Sequence, residues 1–169
     1  MLVIELATND DLSVLRNLHQ LYLYDLTEFT HDDPDPEGRF PHEPLEGYVE
    51  GAPDRAALIA RLWGRPAAFA LVAAGSVLDA GACGVRTVRD LFVLRRYRRR
   101  GIGTRLALEA FRRFPGRWEV RQDASNKPAH TFWRKVIDRY TAGRFVELTL
   151  DDHRWRGPVQ TFDNSLLLG

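Results

Sequence analysis

Apolar residues recur along this chain with two different periods. The run Leu2–Leu6 is short and apolar, and it predicts an edge strand. Thr8 followed three positions on by Asp11 has the form of a helix start. Leu12, Leu15, Leu18, Tyr22 and Leu26 then recur at helical spacing and predict a helix to about Leu26. Residues 30–54 break every period: Pro34, Pro36, Pro41 and Pro44, with glycines and acids between them, predict a long surface loop. Loops of that length within a compact domain commonly carry function. Ala57–Leu62 and Ala67–Ala73 flank Gly64-Arg65 and read as a hairpin. A glycine-rich connection leads to a strand over Val85–Leu94, and a helix over Ile102–Arg113 stops before Pro115 and Gly116. Arg117–Gln122 is the next strand. Ser125 or Asn126 caps a helix from Pro128 to about Arg139, with proline near the first turn, where it is tolerated. Two last strands are expected near Arg144–Leu150 and Val159–Phe162. The order β-α-loop-β-β-β-α-β-α-β-β predicts an α/β domain with a mixed sheet.

Composition narrows the class. A chain of 169 residues suits one domain with a proper core, and a 44% apolar fraction with mixed charges describes a soluble globular protein. No apolar run approaches the ~18–20 residues that cross a bilayer. The first residues lack a basic segment followed by a long apolar one, so no signal peptide and no membrane partner are expected. A single cysteine, Cys83, excludes an internal disulfide framework and suits a reducing cytoplasm. The net charge of +1 hides a division, because 13 of the 23 acidic side chains fall within residues 1–54, against only Arg16 and Arg39. Such polarity can guide an anion to one region and a cation to another.

The chemistry concentrates between Val88 and Leu108. An apolar run, VRDLFVL, meets a basic turn, RRYRRRGIG, which opens into the amphipathic run TRLALEAF. A helix N-terminus carries unpaired N–H groups and partial positive charge, so it attracts anions. Gly101 and Gly103 let a ligand approach the backbone, and Arg98, Arg99 and Arg100 add charge that complements a polyphosphate. A dinucleotide fingerprint would need a third glycine or alanine where Leu106 stands. A Walker-type loop would need a Gly-Lys-Ser/Thr that is absent.

Val93, the turn Arg98-x-x-Gly101-x-Gly103, Asn126 and the following Ala-x-x-Phe-Trp helix together resemble the GNAT superfamily of acyl-CoA-dependent N-acyltransferases. The resemblance is good from about Ala57 to Tyr140. The FWRKVI run and the acidic aromatic segment after the first helix are similar to an uncharacterised group of predicted bacterial acetyltransferases. It implies a single GNAT-like domain over residues 1–169, with a mixed, mostly antiparallel central sheet splayed between the fourth and fifth strands and flanked by helices. The loop 30–54 would be an acceptor-side lid. It also implies acetyl-CoA as cosubstrate. The backbone of Leu91, Phe92 and Val93 would meet the pantetheine arm. The turn Arg98, Arg99, Arg100, Gly101, Ile102, Gly103 and Thr104 would wrap the pyrophosphate, and Asn126 would contact the cofactor. Backbone donors and arginines suit an anionic cofactor, and an unpaired strand edge suits its amides.

Direct transfer to a primary amine requires a base, a stabilised oxyanion and a protonated leaving thiolate. Asp90 is the candidate general base, directly or through a water. A strand N–H near Val93 is the expected oxyanion donor. Trp133 stands where relatives often carry a tyrosine acid, which leaves Tyr140 and His130 as substitutes, or a thiolate that departs unaided. Tyr22, Asp25 and Glu28 are candidate acceptor contacts, with His31, His42 and Tyr48 as further loop candidates. Cys83 has no adjacent base for a covalent route. His19, His31, His42, His130 and His153 show no close ligand spacing, so no metal is expected.

The acceptor class is therefore a small-molecule or peptide amine, and the acidic first third favours a cationic one. The alternative is an acyl-CoA sensor of the same fold that catalyses nothing. Nucleic-acid binding fits the arginine cluster but conflicts with the acidic third. A homodimer would cover the terminal strand edges.

Overall fold

The computed structural model describes residues 1–165. The chain forms two compact units, Met1–Leu71 with Asp90–Leu106, and Val72–Arg89 with the chain from Ala107 onward. Among the described residues seven strands follow the order β1-β2-β3-β4-β5-β7-β6, in the α/β arrangement that the hydrophobic pattern predicts. Among the described residues, no helix is long and apolar enough to cross a membrane.

In the first unit, β1 (Leu2–Leu6) pairs antiparallel with β2 (Arg55–Leu62), from Leu2↔Leu62 to Leu6↔Leu58. Trp63 and Gly64, with φ of 50° and 75°, turn the chain into β3 (Arg65–Ala74). Two left-handed residues in succession give the hairpin turn whose twist matches the strands. Residues Ala67–Leu71 are all buried, as a strand covered on both faces requires.

Helix α1 spans Leu12–Thr30 and buries Leu15, Leu18 and His19. The Asp11 carboxylate accepts the Thr8 N–H at 2.9 Å, and one 3-10 turn over Asn9–Asp11 precedes the helix. The helix outruns its periodic leucines by a turn, because nothing from Thr27 to Thr30 breaks it. It ends at His31, which is left-handed at φ 56°. The segment after it is less open than a surface loop. Gln20 bonds the backbone of Phe40 in both directions, at 3.0 and 2.8 Å, and Leu45, Tyr48 and Val49 are buried around a short helical turn at Glu46–Tyr48.

Strand β4 (Val85–Val93) runs from the second unit, up to Arg89, into the first; in the second unit its start runs parallel to β5 (Arg117–Arg121) and pairs with it at Val85↔Arg117 and Arg86↔Trp118. Within this unit Thr87–Arg89 and Glu119–Arg121 have no register with each other, which is the expected opening of the sheet. β7 (Arg156–Asp163) pairs antiparallel with β5 and with β6 (Val146–Asp151). Helix α2 (Ile102–Arg113) supplies Phe111, which packs at 4.9 Å from Trp118 and 5.0 Å from Phe162. Helix α3 (Lys127–Thr141) is capped by Asn126, whose Oδ1 accepts the Ala129 N–H at 3.1 Å.

Candidate active site

The end of β4 leads through a short helical turn, Arg95–Tyr97, into the basic segment and α2. Arg99 and Gly101 are both left-handed, with φ of 61° and 75°. Successive backbone N–H groups in such a turn can form an anion-binding concavity. The first N–H groups of α2 add to it, since a helix start offers them no carbonyl. Arg105 is the first whose N–H is taken up, by the Gly101 carbonyl at 3.0 Å. Arg99, Arg100 and Gly101 are exposed, so turn and charge both face solvent. Such a segment is suited to an anion.

Arg98 is engaged differently. Its Nε donates to the Val93 carbonyl at 3.0 Å, its Nη2 donates to Asp25 and its guanidinium lies 5.7 Å from the Phe92 ring centre. Arg95 donates to the other oxygen of Asp25 at 2.9 Å, and that carboxylate holds the Arg95 guanidinium above its usual range. Asp25 therefore carries two arginines of the turn. Other acids of the first third are also paired, Asp11 with Arg61, Glu46 with Arg16 and Glu37 with Arg39. Glu28 is exposed on α1.

Asp90 lies on β4 just before Leu91–Val93. Its Oδ2 is 3.1 Å from Nε2 of His19, which α1 contributes. Around them Tyr22, Phe69 and Phe92 form an aromatic cluster, with ring centres 5.9 to 6.0 Å apart. Tyr22 is thus half-buried in that cluster. His19 is the residue that spacing rules for metal ligands passed over. Its signal was different: it sits four residues after Leu15 and three before Tyr22, on the apolar stripe of α1. A histidine on such a stripe must find a polar partner.

The second unit holds the remaining candidates. Asn126 serves as the cap of α3. The Tyr140 hydroxyl accepts from Asn164 Nδ2 at 3.2 Å, and its ring packs 5.2 Å from Phe111. His130 Nε2 meets Glu147 at 3.0 Å. Burial works to raise the Glu147 carboxyl, but hydrogen bonds from Gln160 and His130 outweigh it and hold the group below its ordinary range. Trp133 is buried, as a core residue would be, and Cys83 is exposed. Burial, and then Arg89, push the Arg121 guanidinium below its usual range, and it lies 4.9 Å from the Trp155 ring centre.

A strand that leads through a basic, left-handed turn into a helix start, within a mixed α/β sheet, is an arrangement suited to an anionic ligand. The chain belongs to the acetyltransferase (GNAT) family, whose profile matches residues 18–137. No curated protein sequence matches it. Among solved structures it is similar to the PaiA N-acetyltransferase of Thermoplasma acidophilum in complex with coenzyme A. That match has 12% identity, covers 96% of this chain and 99% of the other, and gives a TM-score of 0.63. An acetyltransferase of Thermus thermophilus matches with 19% identity, 95% and 97% coverage and a TM-score of 0.63. An aminoglycoside acetyltransferase in complex with coenzyme A matches with 19% identity, 96% and 95% coverage and a TM-score of 0.60. These likenesses establish the fold.

Proposed function

We propose that the protein is an N-acetyltransferase that moves the acetyl group of acetyl-CoA to a primary amine of a small molecule or peptide, by direct attack in a ternary complex. The observation that carries this reading is the left-handed pair Arg99 and Gly101 at the open start of α2, close in sequence to the carboxylate of Asp90. The family and the coenzyme A complexes of similar structures support it.

In this reading the turn Arg98–Thr104 receives the pyrophosphate, the backbone of Leu91–Val93 receives the pantetheine amides, and Asn126 contacts the cofactor. Asp90 accepts the proton as the amine nitrogen bonds to the thioester carbon. A backbone N–H near Val93 stabilises the oxyanion. The C–S bond then breaks, and the thiolate, whose thiol has an ordinary pKa of about 8.5, takes a proton from solvent. Tyr140 is the alternative acid, although Asn164 already engages its hydroxyl. Tyr22 and Glu28 line the acceptor side together with the loop 30–54 as its lid, while Asp25 acts through the arginines it holds. The setting is cytoplasmic, in keeping with an unpaired cysteine. A homodimer would cover β6, an edge strand with Val146 and Leu148 exposed.

Titration calorimetry with acetyl-CoA, dephospho-CoA and ATP, followed by an amine panel with thiol detection, tests the reading. Acetyl-CoA-preferring binding and thiol release are expected. Asp90→Ala should lower kcat by roughly a hundredfold, the scale of a lost general base, with acetyl-CoA affinity unchanged. The engaged Tyr140 hydroxyl favours one rival, an acyl-CoA sensor of the same fold. Binding without turnover on any amine would select it.

A further inference from the structure

The His19–Asp90 pair carries more than a satisfied hydrogen bond. Only 5% of the His19 side chain is exposed, against 18% for Asp90, so the carboxylate is the member nearer solvent. The imidazole is clamped by Tyr22 at 5.7 Å, His42 at 5.0 Å and Phe69 at 5.8 Å between ring centres. Its second nitrogen, Nδ1, is buried and has no hydrogen-bond partner among the described residues. A carboxylate can only accept, so the hydrogen of the ring sits on Nε2 and points at Asp90 Oδ2. The other tautomer would set two lone pairs against each other and bury an unpaired N–H.

An orphaned buried nitrogen destabilises a fold, and an apolar side chain would fill the same aromatic clamp without one. A residue that costs stability where leucine would serve has another purpose. We infer that His19 is the positioning residue of Asp90: its Nε2–H holds Oδ2 in place and leaves the second carboxylate oxygen to take the proton of the acceptor amine. This rests on the reading of Asp90 as general base. His19 does not meet the acceptor; it acts through the carboxylate.

The test uses the full chain and two substitutions. His19→Leu keeps the apolar fit and removes the donor. His19→Gln keeps a donor, because the amide nitrogen of glutamine reaches about as far as Nε2. His19→Leu is expected to melt no lower than wild type, and to lose about ten- to a hundredfold in kcat, as when an orienting partner of a reactive group is removed, at unchanged acetyl-CoA KM. His19→Gln is expected to recover most of that loss. A His19→Leu enzyme with wild-type kcat overturns the inference, and so does a loss of kcat that tracks a lowered melting temperature in both variants. Nitrogen-15 NMR of histidine-labelled wild type gives a readout that needs no turnover. A hydrogen on Nε2 and a bare Nδ1 are expected, and a hydrogen on Nδ1 overturns the geometry. A wild-type protein that binds acetyl-CoA but acetylates no amine overturns the transferase reading, and the catalytic purpose of the pair with it, whatever tautomer is found. An active wild type with an indifferent His19→Leu overturns the inference alone.

Discussion

Asp25 on α1 holds Arg98 of the basic turn by a hydrogen bond to Nη2, while the Nε of the same guanidinium holds the carbonyl of Val93 at the end of β4. One arginine thus ties the helix, the strand end and the turn together. The carboxylate expected among the acceptor contacts holds two arginines of the segment proposed to receive the pyrophosphate.

Asp25→Asn should therefore act on the cofactor side. Acetyl-CoA affinity is expected to fall about two- to fivefold, the scale of a partly exposed ion pair, with acceptor KM little changed. Calorimetry and steady-state kinetics separate the two. Full acetyl-CoA affinity with a raised acceptor KM would return Asp25 to the acceptor site.

Gly101 matters through its backbone rather than through crowding. A Cβ there would meet nothing within 4 Å, yet its φ of +75° is left-handed. A valine there would crowd the approaching ligand, and the left-handed backbone adds a conformational cost of about 1–2 kcal/mol. Acetyl-CoA binding should weaken by roughly tenfold on that account. Gly101→Asn, which tolerates this conformation, should bind more tightly than the valine variant. Equal losses in calorimetry would show that side-chain bulk, not backbone strain, decides.

Gly157 is a stability position. A Cβ on it would lie 2.1 Å from the Gln122 carbonyl oxygen and 2.8 Å from the Ala124 nitrogen, both backbone atoms. Gly157→Ala should cost about 3 kcal/mol or more, lowering Tm by roughly 6–12 °C for a chain of this size. Gly47→Ala, whose nearest neighbour is the flexible Arg55 side chain at 3.5 Å, is the control and should change Tm little. Matching melting curves for the two variants would refute the close approach.

Most of the elements were legible because local rules governed them. β1 and α2 have the predicted limits, and Asn126 caps α3 as its position before Pro128 suggests. The misreadings share one cause, which is that a residue's partner lies far along the chain. β7 begins at Arg156, three residues before the apolar run, because Gly157 and Pro158 pair with β6 despite their poor strand propensity. Leu45, Tyr48 and Val49 are buried although prolines flank the segment, since they supply apolar surface that a helix-or-strand period does not register.

The candidate site divides along the same line. Arg99, Gly101 and the start of α2 follow from a local string, in which glycine permits the left-handed turn and the helix start leaves its N–H groups open. The family resemblance rests in part on the same local string. Which charges pair depends instead on contacts between distant parts of the chain. Asp25 meets Arg95 and Arg98 across some seventy residues of chain, and His19 meets Asp90 across a similar span. No period or motif encodes such pairings. They exist because α1 lies where its buried stripe and its acidic end reach β4 and the turn, and the packing of Tyr22, Phe69 and Phe92 holds it there.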